Sequence, residues 1–344
     1  MMKIRKALAF LGYAAATLSV LVPATASSQE KFRISLDTNP THVRNQGVDI
    51  FAKELKKRVG DKLDIEVYPS GQVYRDRDVP KALRQNAIEM GVPGTWQLDG
   101  LVPNVALQTL PMFYGVDPDT VHTVMDGKLG DSLNERMEDR LKVKILGKWA
   151  DLGMQHFYST TKEIKSYDDL KGMKIRFSGG TANAERLKFQ GVIPTLIPYP
   201  DLPLAMSQGV VQGVATTHES AATAKLYDSG LKYAFEDNQF MGQYVPMIRL
   251  SFWDKQPKEI QDAILESWEI AVTQQRKMAG QAQEDARKTL MDHGVKMAQP
   301  SAESIAAMRS SLMSIQPGVI KEMKIDQDMV DIAMQELRAA KVKF

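Results

Sequence analysis

Hydrolysis or isomerisation by side chains needs a nucleophile beside a base, and two stretches of this chain raise that possibility. Ser159-Thr160-Thr161-Lys162 has the S-x-x-K spacing of penicillin-binding enzymes, and His218-Glu219 opens an H-E-x-x-H zinc pattern. Neither is complete: no S-D-N or K-T-G triplet accompanies the serine, and Ala222 stands where the second histidine ligand belongs. The remaining histidines, His42, His122, His156 and His293, are scattered, and read as surface or lining groups rather than metal ligands. Cysteine is absent, which excludes disulfides, thiolate catalysis, Cys-ligated zinc, iron–sulfur clusters and a lipobox thiol for a lipid anchor. No G-x-x-x-x-G-K-[ST] loop, no G-x-G-x-x-G after a strand and no G-x-S-x-G elbow occurs, so no cofactor, no metal and no catalytic residue is assigned. A hydrolase or isomerase using Ser159, Lys162, or His218 with Glu219 stands as the alternative reading.

The elements that would hold such groups alternate. A chain of 344 residues exceeds the roughly 250–300 at which single cores stop growing, so two lobes are expected. Lys3, Arg5 and Lys6, an apolar run from Ala7 to Val22 and Ala24-Thr25-Ala26 form a basic, apolar and small-residue series. Residues 1–26 therefore read as a secretory signal peptide, and the protein as periplasmic. Removing those three basic residues takes 44 basic against 42 acidic to a formal charge of −1, which argues against nucleic-acid binding.

From Phe32 onward short strands alternate with amphipathic helices, the pattern of an α/β protein. Strands are expected at Phe32–Leu36, Leu63–Val67, Ile88–Val92, Met173–Phe177, Ile193–Ile197 and Val210–Ala215. Helices are expected from Asn39 to Gly60 and at about Thr181–Phe189, Asp201–Gln208 and Glu219–Tyr227. Pro257–His293 carries apolar residues at spacings of three, four and seven, giving a helix of roughly 55 Å that would lie across both lobes and bend at Gly280. Two further helices start near Ser301 and Asp326.

Asp169-Leu170-Lys171-Gly172-Met173-Lys174-Ile175-Arg176 is followed at about forty residues by Gln208-Gly209-Val210-Val211-Gln212-Gly213. Glu66-Val67-Tyr68-Pro69-Ser70-Gly71-Gln72, Leu110-Pro111-Met112-Phe113 and Trp253-Asp254-Lys255-Gln256-Pro257 complete a collinear series. It resembles the DctP-type substrate-binding proteins of TRAP (tripartite ATP-independent periplasmic) transporters over nearly the whole mature chain. The resemblance implies a two-lobed periplasmic-binding-protein-like α/β fold with a long helix crossing both lobes. It also implies a non-catalytic receptor that binds a small organic acid in an interlobe cleft and delivers it to TRAP membrane permease subunits. An ABC-type solute-binding protein is the near alternative, and a monomer is expected. The lobes are placed at 27–152 plus about 241–280, and at 153–240 plus about 281–325, with the 326–344 helix left without a lobe.

By the same resemblance Arg176 matches the arginine that pairs with the ligand carboxylate, and Tyr199 falls where the family usually has a cleft phenylalanine. Thr216 replaces an asparagine, and Gln155 replaces an arginine found in several members. Loss of that second cation argues against a site for two carboxylates unless His42, His156 or His218 substitutes. Asn39, Asp76 and Trp96 are candidates from the first lobe. Asp76 or Glu219 in the cleft would favour a hydroxylated or amino-bearing ligand, and Trp96 with Tyr199 an apolar tail.

Overall fold

The structure, a computed structural model, describes residues 29–344; the expected signal peptide lies outside the described residues. Alternating Phe32 and Ile34 build β1 (Glu30–Ser35), and the stripe Val48, Phe51, Leu55 and Val59 builds α1 (Val43–Val59). β2 (Leu63–Tyr68), α2 (Val79–Arg84), β3 (Met90–Gly91), α3 (Pro118–Met125), α4 (Lys128–Leu141) and β4 (Val143–Ile145) follow. β5 (Ala150–Met154) runs into β6 (His156–Ser159), β7 (Lys174–Phe177), α5 (Thr181–Phe189), β8 (Ile193–Leu196), α6 (Leu202–Ser207), β9 (Gly213–Thr216) and α7 (His218–Thr223). β10 (Tyr233–Phe235), β11 (Met241–Tyr244), β12 (Met247–Arg249) and α8 (Leu250–Trp253) precede α9 (Lys258–Asp292). β13 (Lys296–Ala298), α10 (Ala302–Met313), α11 (Gln316–Met323) and α12 (Gln327–Ala339) complete the chain.

Two sheets form the two lobes. The first has the order β2-β1-β3-β12-β4, the second β13-β10-β6-β9-β7-β8, and the ribbon β11-β5 joins them. β1 pairs in parallel with β2 and β3, and β7 in parallel with β8 and β9, so loops at the carboxyl ends of these strands gather between the sheets. Neighbouring residues on β6 serve opposite faces of the second sheet: Tyr158 packs with Val214 and Leu290, and Phe157 with Ile175 and Leu187. The first sheet packs Phe32 against Phe51 of α1 and Trp268 of α9.

Helix α9 runs unbroken for 35 residues, about 52 Å at 1.5 Å per residue, without a break at Gly280. Its first half buries Ile264 and Trp268 against the first lobe, and Leu290 near its end enters the second. Midway, the Gln275 amide bonds Asp151 N and O at 2.8 and 2.7 Å and ties the helix to β5. Among the described residues no helix is long and apolar enough to cross a membrane.

The strand expected at Val210–Ala215 begins later, at Gly213. Gly209 takes the left-handed conformation (φ 68°) and turns the chain out of α6, and a Cβ on Gly213 would lie 2.1 Å from Tyr158 O, so only glycine lets β9 approach β6 there. The helix expected to Tyr227 ends at Thr223. The span expected for the second lobe at 281–325 includes segments after β13 that pack elsewhere. Val319, Ile325, Met329 and Leu337 share one core with Val105, Leu133 and Met137, so α12 packs on the first lobe, while α11 also meets α5. The reason is long-range packing: α12 lies against α3 and α4, α10 against the turn at Pro111–Phe113 and α11 against α5, which local periodicity cannot reveal.

Candidate functional site

A narrow cleft lies between the sheets, with only ≈ 30 Å³ open to the centre of a water molecule. Asp37, Thr38, Asp76 and Trp96 line it from the first lobe, Arg176, Ser178, Tyr199, Thr216 and Ser220 from the second, and Leu152, Gln155 and Tyr244 from the joining strands. The lobes meet around it through Arg75–Asp201 (2.8 Å), Gln97 Nε2 to Ser178 O (3.0 Å) and Thr181 N to Asp99 Oδ2 (2.6 Å).

Arg176 reaches the cleft from β7, where Ile175 fills the sheet's hydrophobic face and strand alternation turns the next side chain the other way. It is 2% exposed, and its Nε donates to Ile197 O at 2.8 Å. Among the described residues it has no ion-pair partner, and its two terminal amino groups donate to no protein acceptor. Burial lowers the guanidinium from 12.5 to about 10, with Asp37, Tyr199 and Tyr244 opposing. A buried planar fork left without its anion is suited to bidentate capture of a carboxylate.

A second buried arginine, which the sequence analysis missed, has the opposite circumstances. Arg44 bonds Asp37 Oδ1 at 2.6 Å, Asp76 Oδ2 at 2.7 Å, Thr38 Oγ1 at 2.9 Å and Val92 O at 3.1 Å, and lies 4.3 Å from the Tyr244 ring centroid. Burial opposes its charge, but Asp76, Tyr244 and Asp37 hold it above its ordinary value. Asp76 is pushed up, chiefly by burial, with Arg44 opposing and the Asp37 carboxylate adding. Arg44 is one helical step from Val48 on the stripe 44-48-51-55, and an arginine on a buried stripe signals a paired charge beneath it.

The other expected residues divide. Gln155, Thr216, Trp96, Tyr199 and Asp76 line the cleft with Arg176. Trp96 packs edge-on to Tyr244 with centroids 5.6 Å apart, and the Tyr199 hydroxyl donates to Ser220 O at 3.1 Å, leaving ring surface to the cavity. Asn39 and Glu219 lie outside the lining. Asn39 accepts from Thr41 N and His42 N and donates to Thr223 O at 3.0 Å, so its amide closes a turn and bridges the lobes. Glu219 accepts from Val43 N at 2.8 Å, holding the start of α1 from the opposite lobe, and burial raises its carboxyl to about 8. His42 Nε2 lies 3.0 Å from Glu219 Oε2 while its hydrogen bond goes to Ser220 Oγ at 3.1 Å; its Nδ1 accepts from Arg44 N.

No histidine replaces the missing cation in the lining. His156 and His218 face a separate cavity of about 620 Å³ behind the β5–β11 ribbon, their rings 4.5 Å apart. His218 meets Glu236 at 3.0 Å and the Tyr158 hydroxyl at 2.8 Å; burial and then His218 lower His156 to about 3. Ser159 is fully buried, and its Oγ accepts from Thr161 N and Lys162 N at 3.2 and 3.1 Å, so it shapes a turn and has no side-chain base beside it. No group of three or more His, Asp or Glu side chains among the described residues is arranged to hold a metal ion.

A family model described as bacterial extracellular solute-binding protein, family 7 (DctP), matches residues 34–321. The chain is 23% identical over 287 residues to the C4-dicarboxylate-binding periplasmic protein DctP of Rhodobacter capsulatus, covering 83% of this chain and 84% of that one. A TRAP periplasmic solute-binding protein from Sulfurospirillum deleyianum with bound succinate superposes with a TM-score of 0.83 at 24% identity, covering 92% of this chain and 100% of its own. One from Ralstonia eutropha with bound (S)-2-acetolactate gives 0.83 at 24% identity, covering 90% and 99%. These structural likenesses show the same two-lobed fold.

Proposed function

The chain belongs to family 7 of the bacterial extracellular solute-binding proteins, and from that premise we propose that it captures a small organic acid between its lobes for TRAP membrane permease subunits. It is a binding protein, not an enzyme. The observation that carries the ligand assignment is Arg176, a guanidinium 2% exposed whose terminal amino groups have no protein partner among the described residues. Removing such a charge from water is unfavourable unless an anion meets it, so a carboxylate favours the closed arrangement. Gln155, Thr216, Tyr199, Trp96 and Asp76 form the rest of the contact surface. The moving bodies are residues 29–152 with about 241–280 and the chain after Ala302, against 153–240 with 281 to about 298. The N-terminal leader routes the chain to the periplasm, where it works as a monomer.

A thermal-shift screen of the mature protein tests this reading, with monocarboxylates, dicarboxylates, sugar acids and aromatic acids set against amines and neutral sugars. A ligand that binds the folded state alone raises Tm by mass action. A rise confined to acids is expected; no rise with any acid, after unfolding and refolding to strip host ligand, would overturn it.

A further inference from the structure

The cleft holds two complementary vacancies in hydrogen bonding, not one. In the cleft that Arg176 also lines, Asp76 Oδ1 is buried without a hydrogen-bond partner, although Oδ2 of the same carboxylate takes Arg44 at 2.7 Å. Among the cleft-lining side chains it is the one buried polar atom so stranded. A buried acceptor of this kind costs stability unless a donor reaches it. Asp76 is 4% exposed, and the side chain beside it other than Arg44 is a second carboxylate, Asp37, which brings a donor only when the pair holds a proton.

We propose that the ligand is a compact hydroxy monocarboxylate, its carboxylate on Arg176 and a hydroxyl donated to Asp76. The proposal rests on the organic-acid reading above and narrows it. Two observations exclude the neighbouring classes. A dicarboxylate would bring a second negative charge toward Asp37 and Asp76, whose ion-pair partner, Arg44, is already committed to both at 2.6 and 2.7 Å. Gln155, lining the same cavity, offers an amide and no charge. An amino acid would bring three ammonium donors to a cleft with one unfilled buried acceptor, whereas a hydroxyl brings one. Compactness follows from the narrowness of the cleft, with ≈ 30 Å³ open to the centre of a water molecule when Arg75–Asp201 and Gln97–Ser178 hold the lobes together.

The test is calorimetric titration of the refolded mature protein with matched acids of three, four and six carbons. Each set contains the unsubstituted monocarboxylate, its hydroxylated and amino counterparts, and the dicarboxylate of equal length. The hydroxy acid of the best-fitting set should bind at least about tenfold more tightly than its unsubstituted partner, and the dicarboxylate more weakly than either. Asp76→Asn should lower affinity for the hydroxy acid by a larger factor than for the unsubstituted acid, narrowing the hydroxyl preference; because the preference is read first on the wild type, a poorly folded variant does not remove the test. Equal affinity with and without the hydroxyl, or tightest binding of the amino acid or the dicarboxylate, would overturn the proposal while leaving the organic-acid receptor intact. Binding of no acid at all would overturn the receptor reading itself.

Discussion

Replacing Arg176 by methionine separates what the guanidinium does for a ligand from what it does for the fold. The side chain is 2% exposed, anchored by one hydrogen bond to Ile197 O, and burial lowers its guanidinium from 12.5 to about 10. The folded-state value lies below the unfolded one, so below pH 10 folding carries the whole cost of burying the charge, and the cost fades only as pH rises from about 10 to 12.5. At about 1.4 kcal/mol per tenfold, that cost is of the order of 3 kcal/mol. Methionine keeps the apolar stem and forfeits one hydrogen bond, about 1 kcal/mol. The ligand-free variant should therefore unfold several degrees above the wild type, because about 2 kcal/mol is recovered. Acid affinity should fall, since removing one partner of a buried charge pair costs about 2–5 kcal/mol, roughly 30-fold or more. Thermal unfolding without ligand and calorimetric titration with it measure the two effects separately. A Tm for the ligand-free variant well below that of the wild type would show that the guanidinium serves the fold, and unchanged acid affinity would remove it from binding.

Two further outcomes follow from groups outside the cleft. The Glu219 carboxyl is raised by burial to about 8 from 4.5, so its ionisation destabilises the folded chain increasingly as pH climbs from about 4.5 to 8. Glu219→Gln, which keeps an oxygen for Val43 N, should be more stable than wild type at pH 8 by at least about 1 kcal/mol and nearly equal to it near pH 5; urea unfolding at both pH values would expose an error if the difference did not grow with pH. On α9, a Cβ at Gly280 would meet nothing within 4 Å, so Gly280→Ala should add about 0.5–1 kcal/mol through helix propensity and leave acid affinity within twofold. A tenfold loss of affinity in that variant would show that closure requires the helix to bend there.

Local pattern carried the elements and much of the cleft. The helix expected at Thr181–Phe189 has those bounds, and α9 lies within one residue of its expected ends, because apolar spacing and flanking glycine or proline act over a few residues. Arg176 was legible through the collinear motifs around it. Arg44 was not, because it lies outside those motifs and its partners, Asp37 and Asp76, come from separate segments that only the folded chain brings beneath the α1 stripe. Asn39 and Glu219 sit within a few residues of the lining but point to the partner lobe's backbone, a distinction set by how the starts of α1 and α7 meet. The docking of α12 on α3 and α4 was invisible for the same reason: it depends on contacts between segments far apart in the chain.

The bonds around the rim have a consequence for traffic. Arg75–Asp201, Asn39–Thr223 O and Val43 N–Glu219 join the lobes without touching the cavity between them, so they favour closure whether or not cargo is present. A receptor that shut when empty would occupy its transporter to no purpose. Arg176 opposes that error, because shutting without an anion strands its charge, whereas opening returns water to it. On the proposed carboxylate pairing, the same side chain would act as a proofreading element, making the shape of the whole molecule report whether a passenger is aboard.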